Sequence, residues 1–238
     1  MRQGITKFRK VSNLLEAGAL LLTICIAGSA SAAEQPGQLA GQAAGQQAAM
    51  NGTTQALPAP GSYKIDPAHS FAYFGARHHA VGLVRGRFDK VTGTITASKD
   101  LAACSVDVTI DVASISTQIA KRDEDLLSDA YFEVKKFPVA TYRGRGIRRG
   151  PGGLWTMDGS LTMHGVTQPV PLTFTFKGLF PDTPPNQPAR AAFHGFAGIK
   201  RADFSMGARD NLEELGASKD PDVEIEIDVE ADASPATP

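Results

Sequence analysis

Cysteine is almost absent from this chain: two occur among 238 residues, Cys25 and Cys104. Cys25 lies in an N-terminal apolar run behind Leu22, Thr23 and Ile24, whereas lipid attachment calls for small residues just before the cysteine. Once that run is removed Cys104 stands alone, which excludes an internal disulfide. It opens an alternating stretch, LAACSVDV, and reads as a small buried hydrophobe. Catalytic signatures are lacking too. No HExxH, GxSxG or CxxC is present, so metal hydrolysis, serine hydrolysis and dithiol redox chemistry have no motif to rest on. The histidines are His69, His78, His79, His164 and His194, and both Asp66-x-x-His69 and His164-Gly165 read as turn or strand-end features. Neither sign of charge dominates, with 24 Lys+Arg against 25 Asp+Glu, and no basic stripe offers a nucleic-acid surface. After residue 33 no apolar run reaches the roughly 20 residues that a membrane-spanning helix needs.

What is present begins with an export signal. Arg2, Lys7, Arg9 and Lys10 precede the apolar run AGALLLTICIAG, and Ala30-Ser31-Ala32 supplies a small-x-small site with cutting expected after Ala32. Residues 1–32 are therefore expected to be a signal peptide, and the mature chain a soluble periplasmic or secreted protein. Residues 33–60 are mostly Gln, Ala and Gly, which bury too little surface to offset the entropy of ordering, so a flexible linker is expected there. One domain follows over 61–231, then a polar, disordered tail is expected over 232–238.

Within the domain the pattern has period two. Val106, Val108, Ile110 and Val112 alternate with Asp107, Thr109 and Asp111, and Val223, Ile225, Ile227 and Val229 alternate with Glu224, Glu226 and Asp228. Residues 155–163 and 170–176 repeat it, and 70–79, 84–98, 138–147 and 190–202 complete about eight antiparallel strands. Their polar faces carry Asp, Glu and Thr, so the outside meets water rather than lipid. Periodicity leaves a sandwich and a closed barrel both open. The charged stretch Thr117–Ala130 predicts a short helix capped by Ser116 or Thr117, placed where a barrel would carry a lid. The arginines of 143–153 read as surface residues at a hairpin.

Several blocks then resemble the YceI-like family of secreted bacterial proteins: Asp66-Pro67-Ala68-His69-Ser70, Arg77-His78 leading to Val84-Arg85-Gly86-Arg87-Phe88, Lys121-Arg122-Asp123-Glu124-Asp125-Leu126, Lys136-Phe137-Pro138, Gly159 to Thr167 and Arg201-Ala202-Asp203-Phe204. The resemblance covers roughly 62–231. It implies an all-β, eight-stranded antiparallel lipocalin-like barrel with a short helical lid, whose apolar bore holds an isoprenoid or similar lipid, with no catalytic activity established for the family at large and no catalytic residue expected here. Two positions depart from the family pattern: Asp125 stands where a histidine is frequent, and Ser205 where glycine is usual after Asp-Phe.

A barrel of eight strands leaves room for one slender ligand. The expected bore wall is Phe74, Ile110, Met163, Phe174, Phe176, Phe193 and Ile227. On periodicity alone these residues pack on one another as readily as on a ligand. Alternation through Ala72, Phe74 and Ala76 aims His78 at the bore, as a hydrogen-bond donor to a quinone carbonyl or as a satisfied core histidine. Arg85, Arg87 and Arg122 are expected at the mouth, to meet an anionic headgroup or to form a solvated rim. The leading expectation is a carrier for a polyisoprenoid or isoprenoid quinone, with a membrane redox protein as recipient, a homodimer as one assembly, and no cofactor or metal. The other readings are a stress-response protein with a self-filled core acting through its surface, and a metal-dependent hydrolase.

Overall fold

The computed structural model describes residues 57–78, 82–180, 187–206 and 222–235. The signal peptide, the linker up to residue 56, His79 and the last three residues of the tail lie outside the described residues. The domain runs past its expected end: Asp232 and Ala233 belong to the last strand, paired with Lys64 and Tyr63, and not to a disordered tail.

The strands are β1 (Gly61–Ile65), β2 (Phe71–His78), β3 (Gly82–Phe88), β4 (Val91–Ala97), β5 (Ser105–Asp111), β6 (Ile115–Ser116), β7 (Val139–Arg149), β8 (Trp155–Met163), β9 (Val166–Pro169), β10 (Leu172–Phe180), β11 (Arg190–Ile199) and β12 (Val223–Ala233). Every pairing is antiparallel, in the order β1-β4-β5-β7-β8-β10-β11-β12, and β12 returns to β1 through Ala231↔Ile65 and Ala233↔Tyr63. That last pairing closes a barrel and rules out the sandwich. β2 continues the arm of β1 along β12, from Asp228↔Phe71 to Val223↔Ala76, while β3 precedes β4 and pairs with β2. The chain thus makes eight arms, four of them broken into two strands.

One break and one bulge have visible local causes. Between β1 and β2, Asp66 accepts a hydrogen bond from the Ala68 amide at 2.9 Å, and Pro67 cannot donate to a ladder. Ser70 is fully buried; its hydroxyl donates to the Glu230 carbonyl at 3.1 Å and accepts from the Glu230 amide at 3.1 Å, replacing the missing ladder bonds. In β7, the register shifts between Arg145 and Ile147 at Gly146, whose φ of 67° suits glycine. This bulge resets the alternation: Ile147 is buried, and Arg145 and Arg148 both face water.

Among the described residues the one α-helix, α1 (Ala120–Leu127), is shorter than the predicted segment and is capped differently. Its cap position is Ile119, with no side-chain cap bond. Instead Asp123 reaches back to accept from the amide and hydroxyl of Thr117, and the Arg122 guanidinium donates to the Thr117 hydroxyl at 2.8 Å and its carbonyl at 3.0 Å. Thr117 is tied down by the helix rather than capping it.

The barrel is filled at one end only. There Val112, Ala140, Met163, Ile199, Phe204 and Met206 form a buried cluster, and Leu127, Tyr131 and Phe132 from the lid pack on it. At the other end, two smaller clusters line the wall. One gathers Tyr63, Ile65, Phe176, Ala191 and Val229; the other gathers Cys104, Ile147, Trp155, Met157 and Phe174. Leu57 packs against both.

Candidate functional site

Inward-facing side chains of β5 set the depth of the site. Cys104, just before it, then Val106, Val108 and Ile110 all line one cavity of about 160 Å³. Opposite them stand Phe174, Phe193, Ile225, Ile227 and Val229. No polar atom of the wall is exposed to this space. A single water needs roughly 10–15 Å³ by the same kind of measure, so the volume exceeds a water pocket about tenfold. It runs from Ile110 and Leu161, above the filled end, to Thr96, Ala97 and the Leu57–Pro58 segment at the rim. It is therefore a blind tunnel with its outlet away from the lid.

Room inside is made by small residues. A Cβ on Gly159 would stand 2.2 Å from the Tyr142 hydroxyl oxygen, so the tyrosine lies flat across bare backbone. That hydroxyl donates to the Val170 carbonyl at 3.1 Å. Burial, with a smaller contribution from Asp158, pushes its pKa up to about 12, so the phenol in the cavity wall stays neutral.

Of the expected bore residues, Ile110, Phe174, Phe193 and Ile227 line the cavity. The other three do not. Met163 is part of the filled end, Phe176 packs into the wall beside Tyr63 and Val229, and Phe74 lies over Gly86 and against Phe88 at 5.7 Å, toward the lid. His78 is corrected as well: it is exposed, opposite Gly82 at the end of β2. Its strand phase is the expected one, but the strand has run past the barrel end. The three arginines do not gather at the outlet. Arg85 is exposed on β3, Arg87 pairs with Asp89 at 2.6 Å and covers the Phe71 ring at 4.8 Å, and Arg122 is spent on Thr117. All three sit toward the lid.

Sequence reasoning missed Leu57 and Pro58, which line the cavity from within the expected linker. Leu57 is the first large apolar residue after the Gln/Ala/Gly stretch, the one available signal. Tyr142, Met157 and Cys104 were also missed as wall residues.

Polar clusters outside the cavity serve the frame. Arg190 binds Asp232 at 2.7 Å, Glu230 at 3.0 Å and Asp66 at 3.0 Å, and these carboxylates hold its proton more tightly than usual. The hydrogen bond from His69 holds the Asp66 carboxyl below the usual carboxylate range, against some desolvation, and Arg190 adds to it. Ser70, beside His69, has its hydroxyl committed to the Glu230 backbone. Among the described residues no three His, Cys, Asp or Glu side chains stand close enough to hold a metal ion.

The YceI-like domain profile matches residues 63–231, which is more than half of the chain. The chain belongs to the YceI-like family. A Salmonella newport protein named YceI is 34% identical over 171 residues, covering 71% of this chain and 85% of that one. A Campylobacter jejuni YceI crystal structure superposes with a TM-score of 0.56 at 26% identity, covering 67% of this chain and 90% of that one. A domain from Saccharophagus degradans, described as polyisoprenoid binding, has a TM-score of 0.53 at 22% identity and covers 72% and 98% of the two chains. At that identity the likeness is one of fold.

One departure from the YceI-like pattern has a structural consequence. Ser205 takes a left-handed conformation, φ 56° and ψ 30°, at the end of the turn that seats Phe204 and Met206 in the filled end. Glycine suits that conformation, whereas serine adopts it at a cost.

Proposed function

We propose that this protein is an exported carrier that holds the tail of a long-chain isoprenoid lipid, a polyisoprenoid or an isoprenoid quinone, in its bore. The observation that carries the proposal is the large cavity with a wholly apolar surface. Leaving about 160 Å³ empty would cost on the order of 4 kcal/mol at roughly 24 cal/mol per Å³. A tail recovers about 0.8 kcal/mol for each CH₂ taken from water, so affinity grows with length and needs no polar anchor inside. The S. degradans domain of the same fold, described as polyisoprenoid binding, supports this cargo class. The blind lid end makes the tail go in first and leaves the headgroup at the rim. A quinone cargo would then be passed to a membrane redox protein. The N-terminal signal pattern supports export to the periplasm. The work is binding rather than catalysis.

Trp155 is the only tryptophan, buried beside Met157 and Phe174, so an isoprenoid quinone in the bore should quench its fluorescence. Titration of lipid-stripped protein with such a quinone should show saturable quenching. Val108→Phe, which fills the tunnel, should weaken it at least about tenfold, a loss of ~1.4 kcal/mol. Unchanged affinity in that variant, with its circular dichroism intact, would contradict the bore as the site.

A further inference from the structure

The rim around the outlet carries exposed apolar side chains beside the mouth of the tunnel. The loop between β4 and β5 presents Leu101, 37% exposed, and the end of β10 presents Leu179 and Phe180, 42% and 59% exposed. Register places these at the outlet end, since Ala97 pairs with Gly61, Thr96 with Ser105, and Phe180 with Arg190. Exposed cations share the rim: Lys99 beside Leu101, Lys177 before Leu179, and Arg149 on the β7–β8 hairpin, where its neighbour Arg148 is paired with Asp158. Of the described acids nearby, two are held in ion pairs, Asp158 with Arg148 and Asp232 with Arg190, and Asp100 takes only a backbone hydrogen bond, from the Ala102 amide at 3.0 Å.

The outer face of β12 has the opposite sense, exposing Glu224, Glu226 and Asp228. The lid is mixed: Glu124 and Asp125 are paired with Lys121, and Lys135 and Lys136 are exposed beside it. An anionic surface would repel the β12 face and attract the rim.

We propose that the outlet rim docks on an anionic phospholipid bilayer, with Leu101, Leu179 and Phe180 entering the interface and the rim cations meeting lipid phosphates. This inference rests on the lipid-carrier reading and adds where the cargo is exchanged. Apolar tips and basic side chains on one small surface are the two elements that bind a protein to an anionic membrane without a spanning segment. Docked this way, the tunnel opens directly onto the acyl layer. A tail can then slide between bilayer and bore without crossing water.

The test is co-sedimentation of the mature protein with vesicles of phosphatidylcholine alone or mixed with phosphatidylglycerol. Binding should be at least about tenfold stronger to the mixed vesicles and should fall as salt rises. The double variant Leu101→Ser with Phe180→Ser, and separately Lys99→Glu with Lys177→Glu, should each lose about tenfold or more. Both should keep their copurified lipid, because none of these side chains lines the cavity. Ile119→Ser with Val139→Ser, exposed apolar residues at the lid end, should bind as wild type. No preference for phosphatidylglycerol, or equal loss in the lid-end variant, overturns the proposal. So does a dimer in sedimentation equilibrium that Phe180→Ser dissolves, because the rim would then join two copies of the chain. An empty bore with intact, rim-dependent vesicle binding would instead refute the carrier reading and leave the docking surface standing.

Discussion

At the lid end, Phe204, Met206, Val112 and Met163 fill the barrel from wall to wall, while toward the rim Cys104, Ile147 and Phe193 belong to walls that face a void. The same strands supply both halves with the same alternation of apolar and polar residues. The difference comes from what reaches in from outside the strands. The lid end receives Phe204 and Met206 from the turn after β11 and Leu127, Tyr131 and Phe132 from α1 and its following loop. The rim end receives Leu57 and Pro58. A closed sheet with inward apolar residues is therefore a frame, and the connecting segments decide whether it becomes a core or a container.

The sharpest way to break this comparison is to truncate one aromatic in each half. Phe204→Ala should cost about 3–5 kcal/mol in urea denaturation, because the ring is 1% exposed and packed on all sides. Phe193→Ala should cost about 1–2 kcal/mol less, since part of its ring already borders the cavity. Equal losses would mean that the two halves are packed alike.

A pH series sharpens it next. The Tyr142 phenol is held neutral up to about pH 12, whereas in the unfolded chain it ionises near its ordinary value. Between roughly pH 10 and 12 the unfolded state has thus lost a proton that the folded state keeps, so stability falls as pH rises. Tyr142→Phe should flatten that part of the stability curve; an unchanged alkaline slope would remove Tyr142 from the wall's energetics. The smallest effect is expected at the filled end, where Ser205→Gly should raise stability by about 0.5–1 kcal/mol by relieving the left-handed serine. A loss instead would show that the serine side chain repays its backbone cost.

Much of the fold was legible because alternation over β5, β8 and β12 is strict and the turns between strands are marked by Gly and Pro. Half-buried strands with acidic and Thr outer faces imply a water-soluble sheet. Closure was not legible, because no local pattern records the pairing of Ala231 with Ile65. The site was legible in phase but not in depth. Alternation correctly set Ile110, Phe174, Phe193 and Ile227 inward, yet it could not tell that Met163 and Phe74 lie beyond the floor of the tunnel, or that His78 lies past the barrel end. Arg85 and Arg87 fell to the outside because Val84, Gly86 and Phe88 share the inward phase of β3. The bulge at Gly146 reverses phase midway along β7, which period-two counting does not anticipate. Leu57 was hidden by composition, one leucine at the end of a stretch otherwise too polar and small to pack.

The most direct measurement is mass spectrometry of the organic extract of protein purified from cells without detergent. A bore that exists to be filled should yield one dominant long-chain isoprenoid species at close to one molecule per chain, and Val108→Phe protein should yield far less. An extract without lipid, from protein whose tunnel is open and whose fold is intact, would contradict the carrier account.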